Sequence, residues 1–298
     1  MCSSPAPLAS SAAPSSRNSC TLGTRCLAWP ARTPPPRRLP QLAGRSTAAI
    51  WITWTVCGRA RAADGVIHTA FNNVSATTDI ATSVVANQRA IETMAEALAG
   101  SDRPLVFVSG TAGITPGRLV TEDDIPGARS VSLFGDTETA ALAWAERGVR
   151  VATLRLPLSV HGDTDKRGFI PTLVNIARDK GVSGYVDDGA NCWPAVHVRD
   201  AAALFRLVAE SRLATPRVHA VDDEAVPMRE IAETIGRHLN VPVTSIPAAE
   251  AEGHFGWFAP FASLHSPGSS ELTRKRFEWT PDRPGLIADL NAGHYFTT

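Results

Sequence analysis

Five apolar residues, Pro104-Leu-Val-Phe-Val108, run without a polar break into Ser109, Gly110 and Thr111. A strand with one wet face alternates apolar and polar residues. An unbroken run with two valines and a phenylalanine predicts a strand covered on both faces. Such strands build parallel sheets sandwiched between helices, where ligands sit beyond the carboxyl ends. Ser109 and Thr111 fall at that end and are the first candidates for chemistry. A buried strand closed by a plain Ser/Gly turn accounts for the same residues equally well.

The neighbouring segments repeat the pattern. Residues 65–70 predict a short buried strand ending at Phe71. Residues 81–99 carry Val84, Val85, Ile91, Met94, Ala95 and Leu98 at helical spacing and stop at Gly100. Residues 115–132 form a Gly/Pro/Asp-rich loop in which Glu122, Asp123 and Asp124 read as a solvated run, not as metal ligands. A helix over 136–147, capped by Asp136 and closed by Gly148, leads to a strand over 149–157 and then to Ser159 and His161. Strands alternating with helices predict an α/β fold, a Rossmann-like parallel sheet with helices on both faces. Past Gly162 the texture changes. Helices are expected over 169–180, 201–211 (capped by Asp200) and 227–239, with short strands near 189–197 and 217–221 and an amphipathic turn at 270–277. Residues 64–165 thus carry the regular strand–helix alternation, and residues 166–298 a smaller α/β region with shorter elements.

Net charge is zero and 44% of residues are apolar, so nothing points to nucleic acid or an anionic membrane as partner. No apolar run approaches the ~20 residues of a membrane helix. Of the five cysteines, Cys2, Cys20, Cys26 and Cys57 fall near the start, without metal-ligand spacing, and Cys192 stands alone. That usage predicts a reducing, cytoplasmic setting and no metal.

Residues 1–63 do not match the rest. They hold eight Arg and eight Pro but no Asp or Glu, and acids become frequent from Asp64 onward. An organelle transit peptide is one reading, and a disordered Pro-rich arm another. The third is translation out of frame, which the genetic code can test. Let each intended codon take the last base of one written codon and the first two of the next. Cys2–Ala12 then permits Val-Phe-Val-Thr-Gly-Ala-Thr-Gly-Phe-Ile-Gly, with Ala6, Ala9 and Ala12 becoming the glycines of a G-x-x-G-x-x-G turn. Ala49-Ile50-Trp51 permits Gly-Asp-Leu in the same frame. Two motifs of one fold, in one shifted frame and in the right order, favour the third reading. Such a turn brings backbone N–H groups and a helix N-terminus against a pyrophosphate. As written, Pro5, Pro7 and Pro14 forbid it, and the sheet is expected to be incomplete at its N-terminal edge.

From Asp64 onward the chain resembles the NAD-dependent epimerase/dehydratase family, the extended and atypical short-chain dehydrogenases. The motifs that carry the resemblance are Asp64-Gly-Val-Ile-His-Thr-Ala70, Val106-Phe-Val-Ser-Gly110, Leu154-Arg-Leu-Pro-Leu-Ser-Val-His-Gly162, Asp188-Gly-Ala-Asn191, Val196-His-Val-Arg-Asp200 and Phe277-Glu-Trp-Thr-Pro281. The resemblance implies NAD or NADP as cofactor, a small-molecule substrate and a lid-like C-terminal half, and it is compatible with a homodimer. It implies that Ser109, with Thr111, hydrogen-bonds a substrate oxygen, and that Ala70, Phe71, Ser109, Pro157 and Ser159 flank the nicotinamide and its ribose. His161, Asn191, Trp193 and His197 are the candidate substrate contacts, although each has a bland alternative as a loop or packing residue. The family's Tyr-x-x-x-Lys pair is replaced by Phe134-Gly-Asp-Thr-Glu138, and phenylalanine cannot exchange a proton. A non-catalytic dinucleotide-binding module is therefore the rival reading.

Overall fold

The computed structural model describes residues 26–28, 60, 63–71, 79–127, 130–213 and 215–297. The positions of the shifted glycine turn (Ala6, Ala9, Ala12) and of Ala49–Trp51 lie outside the described residues. The strands are β1 (Cys26–Ala28), β2 (Val66–His68), β3 (Pro104–Gly110), β4 (Arg150–Leu156), β5 (Ser159–His161), β6 (Ser183–Val186), β7 (Cys192–His197), β8 (Arg217–His219), β9 (Asp223–Pro227) and β10 (Val243–Ile246). The main sheet runs in the order β1-β2-β3-β4-β8, parallel from β2 to β8.

β3 is covered on both faces, as its unbroken apolar run requires. Leu105 and Phe107 pack with Ile91, Met94, Ala95 and Leu98 of the helix Ile80–Leu98. Val106 turns to the other face and joins Leu154, Val218 and Leu204 of the helix Val198–Glu210. Each such side chain contributes roughly 1.5–3 kcal/mol by leaving water. Asp79 caps the first helix by accepting from Thr82 N–H at 3.2 Å.

The second half builds two small sheets, β5-β7-β9 and the parallel pair β10-β6. β6, β9 and β10 are only four or five residues long and too polar to announce themselves in sequence. Helices Phe169–Lys180 and Met228–Leu239 close a second core around Trp193, Phe255 and Phe258.

Several local expectations need correction. The helix Val198–Glu210 is capped by His197, whose Nδ1 accepts from Arg199 N–H at 3.2 Å. Asp200 is buried inside the first turn and accepts from the N–H groups of Asp282 and Arg283, tying down the C-terminal segment. Asp136 is exposed in the first turn of the helix Gly135–Leu142 and makes no side-chain cap. That helix ends early, and Ala143–Arg147 tightens into a 3₁₀ turn before Gly148 at φ 73°. Glu122 is not solvated but only 3% exposed.

Candidate functional site

Parallel strands deliver their carboxyl ends to one edge, so Thr69–Phe71, Ser109–Gly113 and Leu156–Ser159 meet there. Thr111 donates its N–H to the Leu156 carbonyl at 2.9 Å and its hydroxyl to the same oxygen at 3.4 Å, which closes the edge between β3 and β4. Ser109 stands opposite Arg155 in the ladder and is buried, and its hydroxyl has no hydrogen-bond partner among the described residues. Ser109 is thus free to meet a ligand, whereas Thr111 is engaged. Phe71 and Phe134 pack edge to face with ring centroids 4.9 Å apart. Pro157 is buried, and the Ser159 hydroxyl is buried without a partner.

The four candidate substrate contacts divide into two pairs. His161 and His197 face each other across β5 and β7, with centroids 5.5 Å apart. His161 Nδ1 lies 2.9 Å from Asp289 Oδ2, and its buried Nε2 has no partner. Burial, then the adjacent His161, pulls the His197 pKa down, so His197 is neutral near pH 7 and carries its proton on Nε2. Tyr295, in the same cluster, accepts from Gly162 N–H at 2.9 Å, and burial raises its phenol. Asn191 instead donates to the carbonyls of Ala262 and Leu264. Trp193 is fully buried, with its indole N–H 3.3 Å from the Phe261 carbonyl, and is a core residue.

Behind Ser109 lies an ion cluster that no local motif signals. Arg155, fully buried, reaches both carboxylate oxygens of Glu138 (2.9 and 2.5 Å) and the Asp124 carbonyl (2.9 Å). Arg217 Nε joins Glu138 at 2.8 Å. Burial pushes the Glu138 carboxyl up, but Arg155 and Arg217 together hold it below the usual carboxylate range. Glu138, the last residue of Phe134-Gly-Asp-Thr-Glu138, is therefore the hub of a structural ion cluster.

His219 completes the cluster. Its Nδ1–H donates to the Ser269 carbonyl at 2.8 Å, and its Nε2 accepts from Arg155 at 3.2 Å. Burial above all, with Arg155 opposing the pull of Glu122, lowers its pKa to about 4. A folded value below the unfolded 6.5 stabilises the fold fully above pH 6.5, and that contribution is lost as pH falls toward 4. The shift corresponds to about 3 kcal/mol. Urea denaturation between pH 7 and 4 should show a steep loss in the native chain and a shallower one in His219→Gln. His68, also lowered by burial, supplies part of the residual slope. Equal slopes in the two chains would refute the assignment.

Among the described residues, no three His, Cys, Asp or Glu side chains gather as a metal site, and no helix is long and apolar enough to cross a membrane. A dinucleotide needs a parallel strand ending in a tight turn and a helix N-terminus beside β2. β1 occupies that edge but runs antiparallel, so that its amino end, Cys26, lies against His68. Among the described residues no strand exits into a phosphate-gripping turn at that edge, and those residues do not fit the pyrophosphate.

MoeE5, solved in complex with UDP-glucose and NAD, is similar with a TM-score of 0.63 and 20% identity over 81% of each chain. DesIV, a dTDP-glucose 4,6-dehydratase from Streptomyces venezuelae solved with NAD and TYD, is similar with a TM-score of 0.61 and 17% identity over 82% of this chain and 76% of its own. The fold is thus the Rossmann-type fold of NAD-dependent epimerases and dehydratases. No protein-family model matches the chain. Two yeast proteins are far nearer in sequence. The uncharacterized protein C2A9.02 of Schizosaccharomyces pombe is 43% identical over 235 residues (78% of each chain), and the uncharacterized protein YLL056C of Saccharomyces cerevisiae is 41% identical over 235 residues (78% of this chain and 76% of its own). The chain belongs to the family that these two proteins represent.

Proposed function

We propose that the chain from Asp64 onward is the body of an NAD(P)-dependent oxidoreductase or epimerase acting on a small carbonyl, hydroxyl or sugar-type substrate, and that loss of the glycine-rich turn impairs it. The observation that carries this reading is Ser109, a buried and unengaged hydroxyl near the carboxyl end of β3 in the parallel sheet. NAD and nucleotide sugars held by similarly folded proteins support the substrate class. The out-of-frame reading of residues 2–63 belongs to the same proposal.

The test uses a gene with the frame restored. Its product should turn over at least one member of a panel of aldehydes, ketones and nucleotide sugars with NADH or NADPH. Ser109→Ala should lower kcat/KM by roughly 10²-fold, the usual cost of losing one oriented hydroxyl donor. Unchanged turnover in that variant would end the catalytic assignment of Ser109.

Phe134 favours a second reading. The edge that lacks an exchangeable phenol also has Glu138 locked to two arginines. A dinucleotide-binding sensor without chemistry would show cofactor affinity and no turnover on the same panel.

A further inference from the structure

The loop 162–168 leaves the carboxyl end of β5 and starts the helix Phe169–Lys180. Asp165 shapes it. Its N–H donates to the Gly162 carbonyl at 3.0 Å, and its Oδ1 accepts from the N–H groups of Gly168 (2.8 Å) and Arg167 (3.3 Å). The turn is close-packed, since a Cβ at Gly168 would stand 2.7 Å from both carboxylate oxygens. Asp165 Oδ2 is buried and has no hydrogen-bond partner among the described residues.

His161 lies within electrostatic reach of this carboxylate. Its Nδ1–H goes to Asp289, so Nε2 of the neutral ring is an acceptor, also buried and also without a partner. Two buried acceptors repel each other, and each costs free energy while unpaired. No neighbour relieves them. His197 carries its proton on Nε2 but makes no hydrogen bond to His161. His294 Nε2 is itself unpaired, 3.6 Å from Asp289 Oδ2. Tyr295 faces Asp165 and Asp289 while accepting from Gly162 N–H, and it closes no hydrogen bond to Asp165 Oδ2. Lys166 is exposed, Arg199 pairs with Asp163 at the surface, and Asp200 is held by the backbone at 282–283. Burial pushes the Asp165 carboxyl above its ordinary range, which favours the protonated form.

We propose that His161 and Asp165 take up one proton between them, and that this proton fastens the 162–168 loop to the carboxyl end of β5. A proton from solvent turns two acceptors into a donor and an acceptor wherever it resides. Either the Asp165 carboxyl donates to His161 Nε2, or His161 Nε2–H donates to the Asp165 carboxylate. Nδ1–H stays on Asp289 in both forms. The loop tightens as pH falls.

Amide hydrogen exchange of the full chain, followed by NMR, tests this without cofactor or turnover, so it can fail while the oxidoreductase reading stands, or the reverse. After correction for intrinsic rates, the amides of Gly162, Asp165, Arg167 and Gly168 should gain about 10-fold protection from about pH 8 to about pH 5, the worth of one charge-assisted hydrogen bond. Amides of β3 report the whole fold and should show no gain, because the His219 contribution runs the other way. Asp165→Asn keeps the Oδ1 acceptor for the turn and offers a permanent N–H to His161, so its loop should be equally protected at both pH values. Asp163→Asn, at an exposed position, should keep the pH dependence. No gain in the native chain, or the same gain in Asp165→Asn, would overturn the proposal.

Discussion

Glu138→Ala should destabilise the chain by about 3–5 kcal/mol, the cost of stranding a buried charge whose partner has been removed. Arg155 has no exposed surface, and Glu138 provides its carboxylate contacts. Water cannot replace that carboxylate without opening the packing between the helix Gly135–Leu142 and β4. A whole domain is typically stable by only 5–15 kcal/mol, so the variant should unfold at much lower urea or fail to accumulate. The double variant Glu138→Leu with Arg155→Met separates charge from packing. It removes both ions while retaining apolar volume, and should recover most of the loss. Arg217 then keeps a route to water, since its side chain is partly exposed. A loss below about 1 kcal/mol in Glu138→Ala, or a double variant no better than the single, would show that the cluster does not hold this face of the sheet.

This cluster also marks how far sequence reasoning reaches. β3, β4 and the helices at 80–98, 169–180 and 228–239 were legible because burial imposes a period on apolar residues, and local composition carries that period. The place of Ser109 was legible for the same reason, as the first polar residue of a buried strand, near its carboxyl end. Glu138, Arg155, Arg217 and His219 were not. They meet across 17 to 79 positions, and a charged residue in sequence gives no sign of whether its partner is water or a distant ion. Glu122 failed in the same way, because its partner Thr273 lies 151 residues away. His197 and Asp200 show a subtler limit. Aspartate is a preferred N-cap and histidine is not, yet His197 takes the cap while Asp200 accepts from the backbone at 282–283.

A chain translated from a gene read one base earlier through residues 2–63 should bind NAD or NADP, and the chain as written should bind neither. The dinucleotide's pyrophosphate is held by unshared backbone N–H groups at a helix N-terminus, where a side chain at the glycine positions would stand in the way. The written residues place Ala6, Ala9 and Ala12 at those positions, among prolines that cannot donate or continue a helix. The antiparallel β1 beside β2 brings the wrong chain end to the ligand edge. In the restored frame, a parallel first strand would hand its carboxyl end to that edge, next to Thr69–Phe71. Ligand at 100 times its Kd then stabilises the fold by about 2.7 kcal/mol, a melting shift of roughly 5 °C or more for a chain of this size. The written chain should show no shift with either dinucleotide. An equal shift in both chains would place the cofactor grip elsewhere, and a coding sequence with no base gained or lost between the codons for Met1 and Asp64 would remove the premise altogether.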